Sequence, residues 1–144
     1  MGCALFGKQP PEATLAVFEE TDPTLPATHV REVSVPKTGL TIAVDPFPIL
    51  TEKDLAAAEY QSGGTGVAIL LQFDIHGLMV LQEATTREHG EYLVIFLNNR
   101  PVAALRTQRA IENGQILLEG DFGEEEAKQA VTAFNIVAKK QKAM

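Results

Sequence analysis

Asp74 and His76, in the stretch DIH, stand two apart and offer a carboxylate and an imidazole, donor types that hold divalent transition metals. Such a site needs a third ligand, and no residue lies at a diagnostic spacing from this pair. At a helix start the two side chains also need not point the same way, so no metal site is assigned. His29 is isolated, and His89 is accounted for by the negative end of the helix it would close. A second candidate is GDFGEEEAKQAV, Gly120 to Val131, with Asp121, Glu124, Glu125 and Glu126 within six residues. A calcium loop needs oxygen ligands at alternating positions, a central glycine and a distant glutamate, and this stretch fails after its first position. Successive glutamates on a helix point ~100° apart and do not converge on one ion. In a first helical turn, by contrast, each is favoured by ~0.3–1 kcal/mol by the positive helix end. The stretch reads as a strand turning at Gly120 into a helix, with Phe122 as a core anchor.

Nucleophilic chemistry finds no better support. Ser34 and Ser62 lie in no nucleophile motif, and Cys3 sits in a proline-containing terminal segment. The glycines of SGGTG precede a strand, whereas phosphate-cradling glycines follow one and open a helix. No catalytic, cofactor-binding or metal-ligating residue is assigned, no cofactor is expected, and the chain is read as no enzyme.

Cys3 is the one residue whose setting suggests modification. MGCALFGKQPPEAT, a cysteine after a glycine, followed by small and apolar residues and then a polar linker, resembles the start of a mature bacterial lipoprotein, with the upstream apolar signal and most of the lipobox not among these residues. Lipidation of Cys3 is the expectation. A myristoylation reading is weaker, because Phe6 stands where that motif wants Ser or Thr. A single cysteine excludes an internal disulfide framework. Twelve basic against nineteen acidic residues give a net charge of −7, which repels a phosphate backbone, so no nucleic acid partner is expected. The terminal lysines of AKKQKAM suit a helix C-terminus. The longest apolar run, GVAILL, is strand-sized and far short of the ~20 residues a membrane helix needs. The expected contact with a membrane is through a lipid anchor alone.

The 144 residues, 45% hydrophobic and 22% charged, suit one globular domain. Residues 1–13 read as a tether and residues 14–144 as the domain. TLAVFEE, HVREVSV and GLTIAV read as strands, and DPFPIL as an extended segment that its prolines keep out of helix. LTEKDLAAAEYQ reads as a short helix, with Thr51 as N-cap and Asp54 at the capping-box position, followed by a turn at SGGTG. VAILLQF is a strand with Val67, Ile69, Leu71 and Phe73 on one face. DIHGLMVLQEATTREHG is an amphipathic helix that buries Ile75, Leu78, Met79 and Leu81, wets Glu83, Thr86 and Arg87, and ends at Gly90. EYLVIFLNNRPVAAL is a hairpin turning at Asn98-Asn99, and QILLEG a last strand. Ala127, Ala130, Val131, Phe134 and Val137 then recur at helical spacing. The second half, β-α-β-β-α, predicts an α+β sandwich with helices on one face of a mostly antiparallel sheet and additional N-terminal strands.

From about Leu50 to Ala133 these pieces resemble the first periplasmic domain of SecD and SecDF, membrane subunits of the bacterial protein-export translocase. Phe73, Asp74, Gly77, Glu83, Thr85, Gly90, Leu93, Ile95 and Leu97 fall on or beside the family pattern, with Arg87 shifted by one. Ile111, Gly114, Leu118, Gly120, Phe122, Glu125 or Glu126, and Ala127 continue it. Leu105 stands where the family has proline, and Gly123 where it has a helix-starting Ser or Thr. The family's flanking membrane helices and intramembrane acidic residue do not occur in these residues, so proton-coupled transport is not implied. The resemblance implies a ferredoxin-like fold, a place in the periplasm or on the outer face of the cell envelope, and a non-catalytic role. The expected partners are proteins, either translocase components or exported polypeptides. The alternative is a small-ligand or ion-binding module that shares only the architecture.

Overall fold

The computed structural model describes residues 12–63, 66–87 and 91–142. Cys3, His89 and Gly90 lie outside them. The strands are β1 (Leu15–Glu19), β2 (Arg31–Val35), β3 (Leu40–Val44), β4 (Leu50–Thr51), β5 (Leu55–Gly63), β6 (Gly66–Phe73), β7 (Tyr92–Leu97), β8 (Arg100–Arg106) and β9 (Gln115–Glu119). Two helices, α1 (Ile75–Arg87) and α2 (Glu124–Lys142), complete the order. The α+β class is as expected, but the strands form three antiparallel sheets: β4-β1-β7-β8, the hairpin β2-β3, and β5-β6-β9. Helix α1 thus connects strands of two different sheets.

Strand β7 explains that layering. YLVIFL is apolar at almost every position, which suits a strand covered on both faces. Leu93, Ile95 and Leu97 enter the main core with Leu15, Val17, Leu71, Leu81, Ile116 and Phe134. Val94 and Phe96 face the other way, onto Phe18 and the β2-β3 residues Val33, Val35, Ile42 and Val44. The four-stranded sheet is therefore sandwiched between the small hairpin and the layer formed by the third sheet and the helices. The β7-β8 hairpin turns at Asn98 and Asn99, whose φ values of 54° and 66° match the left-handed pair such a tight turn requires.

The expected helix at Leu50–Gln61 is not formed. The capping box is present: Thr51 accepts from the Lys53 N–H, and Asp54 Oδ2 accepts the Thr51 N–H at 2.9 Å. It closes only a 3-10 turn, Glu52–Asp54, after which the chain runs as β5 against β6. The alanines favour helix, but propensity is a weak preference that tertiary contacts override. Strand pairing along β6 buries Leu55 and Ala58 and overrides that preference. Asn135 of α2 then occupies the outer edge of β5, accepting the Ala58 N–H through Oδ1 and donating to the Ala58 carbonyl through Nδ2, both at 2.9 Å. A side-chain amide thereby stands in for a neighbouring strand.

Helix α1 also docks through a different face from that expected. Gly77, Leu81, Ala84 and Thr85 point inward, whereas Ile75 and Met79 are 77% and 62% exposed. Gly77 sets this orientation, because a Cβ there would lie 2.7 Å from Phe73 Cβ, and only glycine lets the helix start so close to the end of β6. Leu78 is half-buried, Leu81 is fully buried, and Glu83 and Thr86 are exposed as expected. Phe122 packs on the core from a half-buried position.

Candidate functional site

The open end of the β5-β6 hairpin brings together residues that are twenty positions apart in the chain. Asp54 directly precedes β5 and Asp74 directly follows β6, and the Asp74 N–H donates to the Asp54 carbonyl at 2.8 Å. Asp74 is the N-cap of α1: its Oδ1 accepts the Gly77 N–H at 2.8 Å and its carbonyl the Leu78 N–H. His76, on the first turn, approaches Asp54 Oδ1 through Nδ1 at 3.1 Å. One donor atom from each of Asp54, Asp74 and His76 lies within 4.8 Å of the others. The pair Asp74–His76 was visible in the sequence; its third member was not. A hairpin reading of residues 55–73 would have exposed it, since the two residues flanking a hairpin must face each other. The helix read over that stretch hid it.

The acidic stretch at the start of α2 is used as expected, though one member does more. Glu124 and Lys128 form an i,i+4 pair at 2.9 Å, and this contact lowers the pKa of Glu124 and raises that of Lys128. Glu126 instead reaches the β7-β8 turn. Arg100 Nη2 donates to Glu126 Oε1 at 2.6 Å and to the Asp121 carbonyl at 2.8 Å, Nη1 takes Glu126 Oε2, and Asn98 Nδ2 donates to that oxygen at 3.0 Å. The Arg100 hydrogen bonds hold the Glu126 carboxyl below its ordinary range, and the same contact raises the guanidinium. These carboxylates anchor a hairpin to a helix.

Several residues of the family-like pattern prove to be packing devices. Thr85, fully buried, donates to the Leu81 carbonyl at 2.6 Å and accepts the Ile111 N–H at 2.7 Å, tying the segment before β9 to α1. Gly120 lies so close to β8 that a Cβ would sit 2.2 Å from the Val102 carbonyl oxygen, while the next N–H, of Asp121, donates to that oxygen at 2.9 Å.

The exposed surface carries apolar groups as well. Met79 lines an open groove of about 430 Å³ with Gln82, Glu83 and Thr86, on the face of α1 that also presents Ile75. Phe47 is 77% exposed, and Leu117 of β9 is half-exposed on the outer face of its sheet. Between the four-stranded sheet and the β2-β3 hairpin, Arg31 lies over the Phe96 ring at 4.8 Å and lines a cavity of about 290 Å³ with Phe18 and Glu52. Among the described residues, no helix is long and apolar enough to cross a membrane.

The class defined by this architecture is an α+β domain of three antiparallel sheets carrying two helices. A family model for the P1 head subdomain of SecDF matches residues 28–135, and the chain belongs to that family. The match starts before Leu50, so it takes in the β2-β3 hairpin that motif comparison left out. A solved structure of SecDF, described as a membrane component that enhances protein export, is similar with a TM-score of 0.63 at 23% identity, covering 88% of this chain and 63% of that one. A second, of SecDF in a super-membrane-facing form, gives 0.63 at 24% identity, over 88% of this chain and 19% of the other. The chain thus spans less than two thirds of either, and at these identities the likeness is one of fold. No curated protein sequence matches it.

Proposed function

We propose that this chain is a non-enzymatic protein-binding domain that acts on the outer side of the cytoplasmic membrane in protein export, engaging translocase components or exported polypeptides. Membership of the SecDF P1 head family carries the reading. The SecDF to which the fold is similar is described as enhancing protein export. The surface is compatible with it: Ile75 and Met79 expose neighbouring apolar side chains on one face of α1. The net charge of −7 argues against nucleic acid. In this reading residues 14–144 form the domain, and residues 1–13 tether it through a lipidated Cys3.

A photoreactive amino acid at position 79, irradiated in cells and followed by mass spectrometry, tests the partnership. Translocase subunits or exported proteins are expected, with the same probe at Gln61, exposed on β5, as the comparison site. A partner set without either class defeats the reading. A palmitate analogue tests the tether: the native gene product should be labelled, and Cys3→Ser should not. An unlabelled native product removes the anchor and leaves the domain's role to the crosslinks.

A further inference from the structure

We propose that Asp54, Asp74 and His76 bind one divalent cation of the zinc class at the open end of the β5-β6 hairpin. The donor chemistry suits that class: two carboxylates and one imidazole match borderline transition cations, whereas a calcium site would draw on six or more oxygens. The spacing suits it as well. Ligand bonds of ~2.0–2.2 Å place neighbouring donors of one ion ~3–3.5 Å apart. His76 Nδ1 and Asp54 Oδ1, 3.1 Å apart, meet that spacing, and the Asp74 donor, within 4.8 Å of both, closes in on binding.

Both carboxylates are already held by contacts that leave one oxygen each for an ion. The Thr51 N–H takes Asp54 Oδ2 and leaves Oδ1; the Gly77 N–H takes Asp74 Oδ1 and leaves Oδ2. Such outer contacts orient ligands and strengthen metal sites. The Asp74 N–H to Asp54 carbonyl bond fixes the two backbones side by side, so little order has to be gained on binding. With a neutral imidazole the set carries two negative charges, which a divalent ion balances. Without the ion, His76 Nδ1–H donates to Asp54 Oδ1; with it, the Nδ1 lone pair faces the metal and the proton resides on Nε2. Three protein ligands leave room for water, and Asp74 borders a cavity of about 250 Å³ together with Leu55, Ala56, Ala138 and Gln141. The bound ion would clip the two ends of the hairpin on which the third sheet is built.

The test is calorimetric titration of the full chain, stripped with chelator, with zinc chloride and in parallel with magnesium chloride. One zinc per chain is expected, with magnesium far weaker. His76→Ala removes a ligand that is 69% exposed and leaves the fold intact. Asp74→Asn keeps the helix cap, since Asn caps as well as Asp, but removes the charge. Each should weaken zinc by roughly tenfold or more, because even outer-shell losses cost 10–100-fold. Circular dichroism of both variants checks folding. Absence of saturable zinc binding by the wild type overturns the proposal. Binding unchanged in both variants overturns it too, since the ion would then sit elsewhere. Either failure leaves the export reading standing, because that reading rests on family membership and not on this cluster.

Discussion

Substituting Gly120 by alanine should be among the most damaging single-methyl changes this domain can suffer. The added Cβ would lie 2.2 Å from the Val102 carbonyl oxygen, 2.9 Å from its carbon and 3.1 Å from Ala103 Cβ. The first two neighbours are backbone, so no rotamer change relieves the clash; β8 must shift or the turn into α2 must open. Overpacking of this kind costs ~1–3 kcal/mol. The shift also strains or breaks the 2.9 Å Asp121 N–H to Val102 bond, worth a further ~0.5–1.5 kcal/mol. The sum is about 1.5–4.5 kcal/mol, a large share of the ~5–15 kcal/mol that holds a typical domain together. A fall in melting temperature of roughly 6–15 °C follows for a chain of this size. Gly123 is the control. It has nothing within 4 Å of a Cβ and its carbonyl accepts the Ala127 N–H, the position of an N-cap. Gly123→Ser should therefore be neutral or gain a few tenths of a kcal/mol. Thermal melts by circular dichroism, with urea titration at neutral pH, measure both. A Gly120→Ala protein melting within about 2 °C of wild type would refute the close contact between β8 and the β9-α2 turn.

Asn135→Ala should cost about 1–2 kcal/mol and speed hydrogen exchange at the Ala58 amide, because it strips both bonds from the outer edge of β5; unchanged exchange at Ala58 would contradict the edge contact. Glu126→Gln should lower stability at neutral pH by no more than about 1 kcal/mol, given that Arg100 is 42% exposed and screened by solvent. Arg100 depresses the Glu126 pKa, so the charged clamp contributes fully above the ordinary carboxylate value of ~4.3 and is lost as pH falls through the lower folded value. Wild type and variant should therefore converge in urea midpoint in strong acid, and a constant difference across pH would refute the charged contact. Asn99→Val, which forces a β-branched residue to a φ of 66°, should cost ~1–2 kcal/mol, while Asn99→Gly is tolerated; equal melting temperatures for the two would exclude the left-handed turn.

The legible parts of the chain are those in which the signal is local. Alternation located β1, β2, β3 and β6, the Asn98-Asn99 pair located the β7-β8 hairpin, and the 3.6-residue recurrence from Ala127 to Val137 located α2. The acids of Glu124–Glu126 behaved as helix-start charges because that effect needs only their own helix end. Where the reading departed from the structure, the deciding contact came from far along the chain. Residues 55–61 carry helix-favouring alanines, yet β6 and Asn135 hold them as a strand. Ile75 and Met79 fit an apolar helix stripe, yet α1 docks through Leu81, Ala84 and Thr85, the last of which holds the Ile111 N–H twenty-six residues on, and this turns them to solvent.

Sequence alone determined that this is an α+β domain, which stretches are its strong elements, and to which family it belongs, through a match over residues 28–135. Tertiary structure alone decided the division into three sheets, the face through which α1 docks, and the meeting of Asp54 with Asp74 and His76. The physical reason is range. Periodicity, caps and tight turns are energies of a few neighbouring residues, whereas strand partnership and side-chain convergence compare contacts between distant segments that no local window contains.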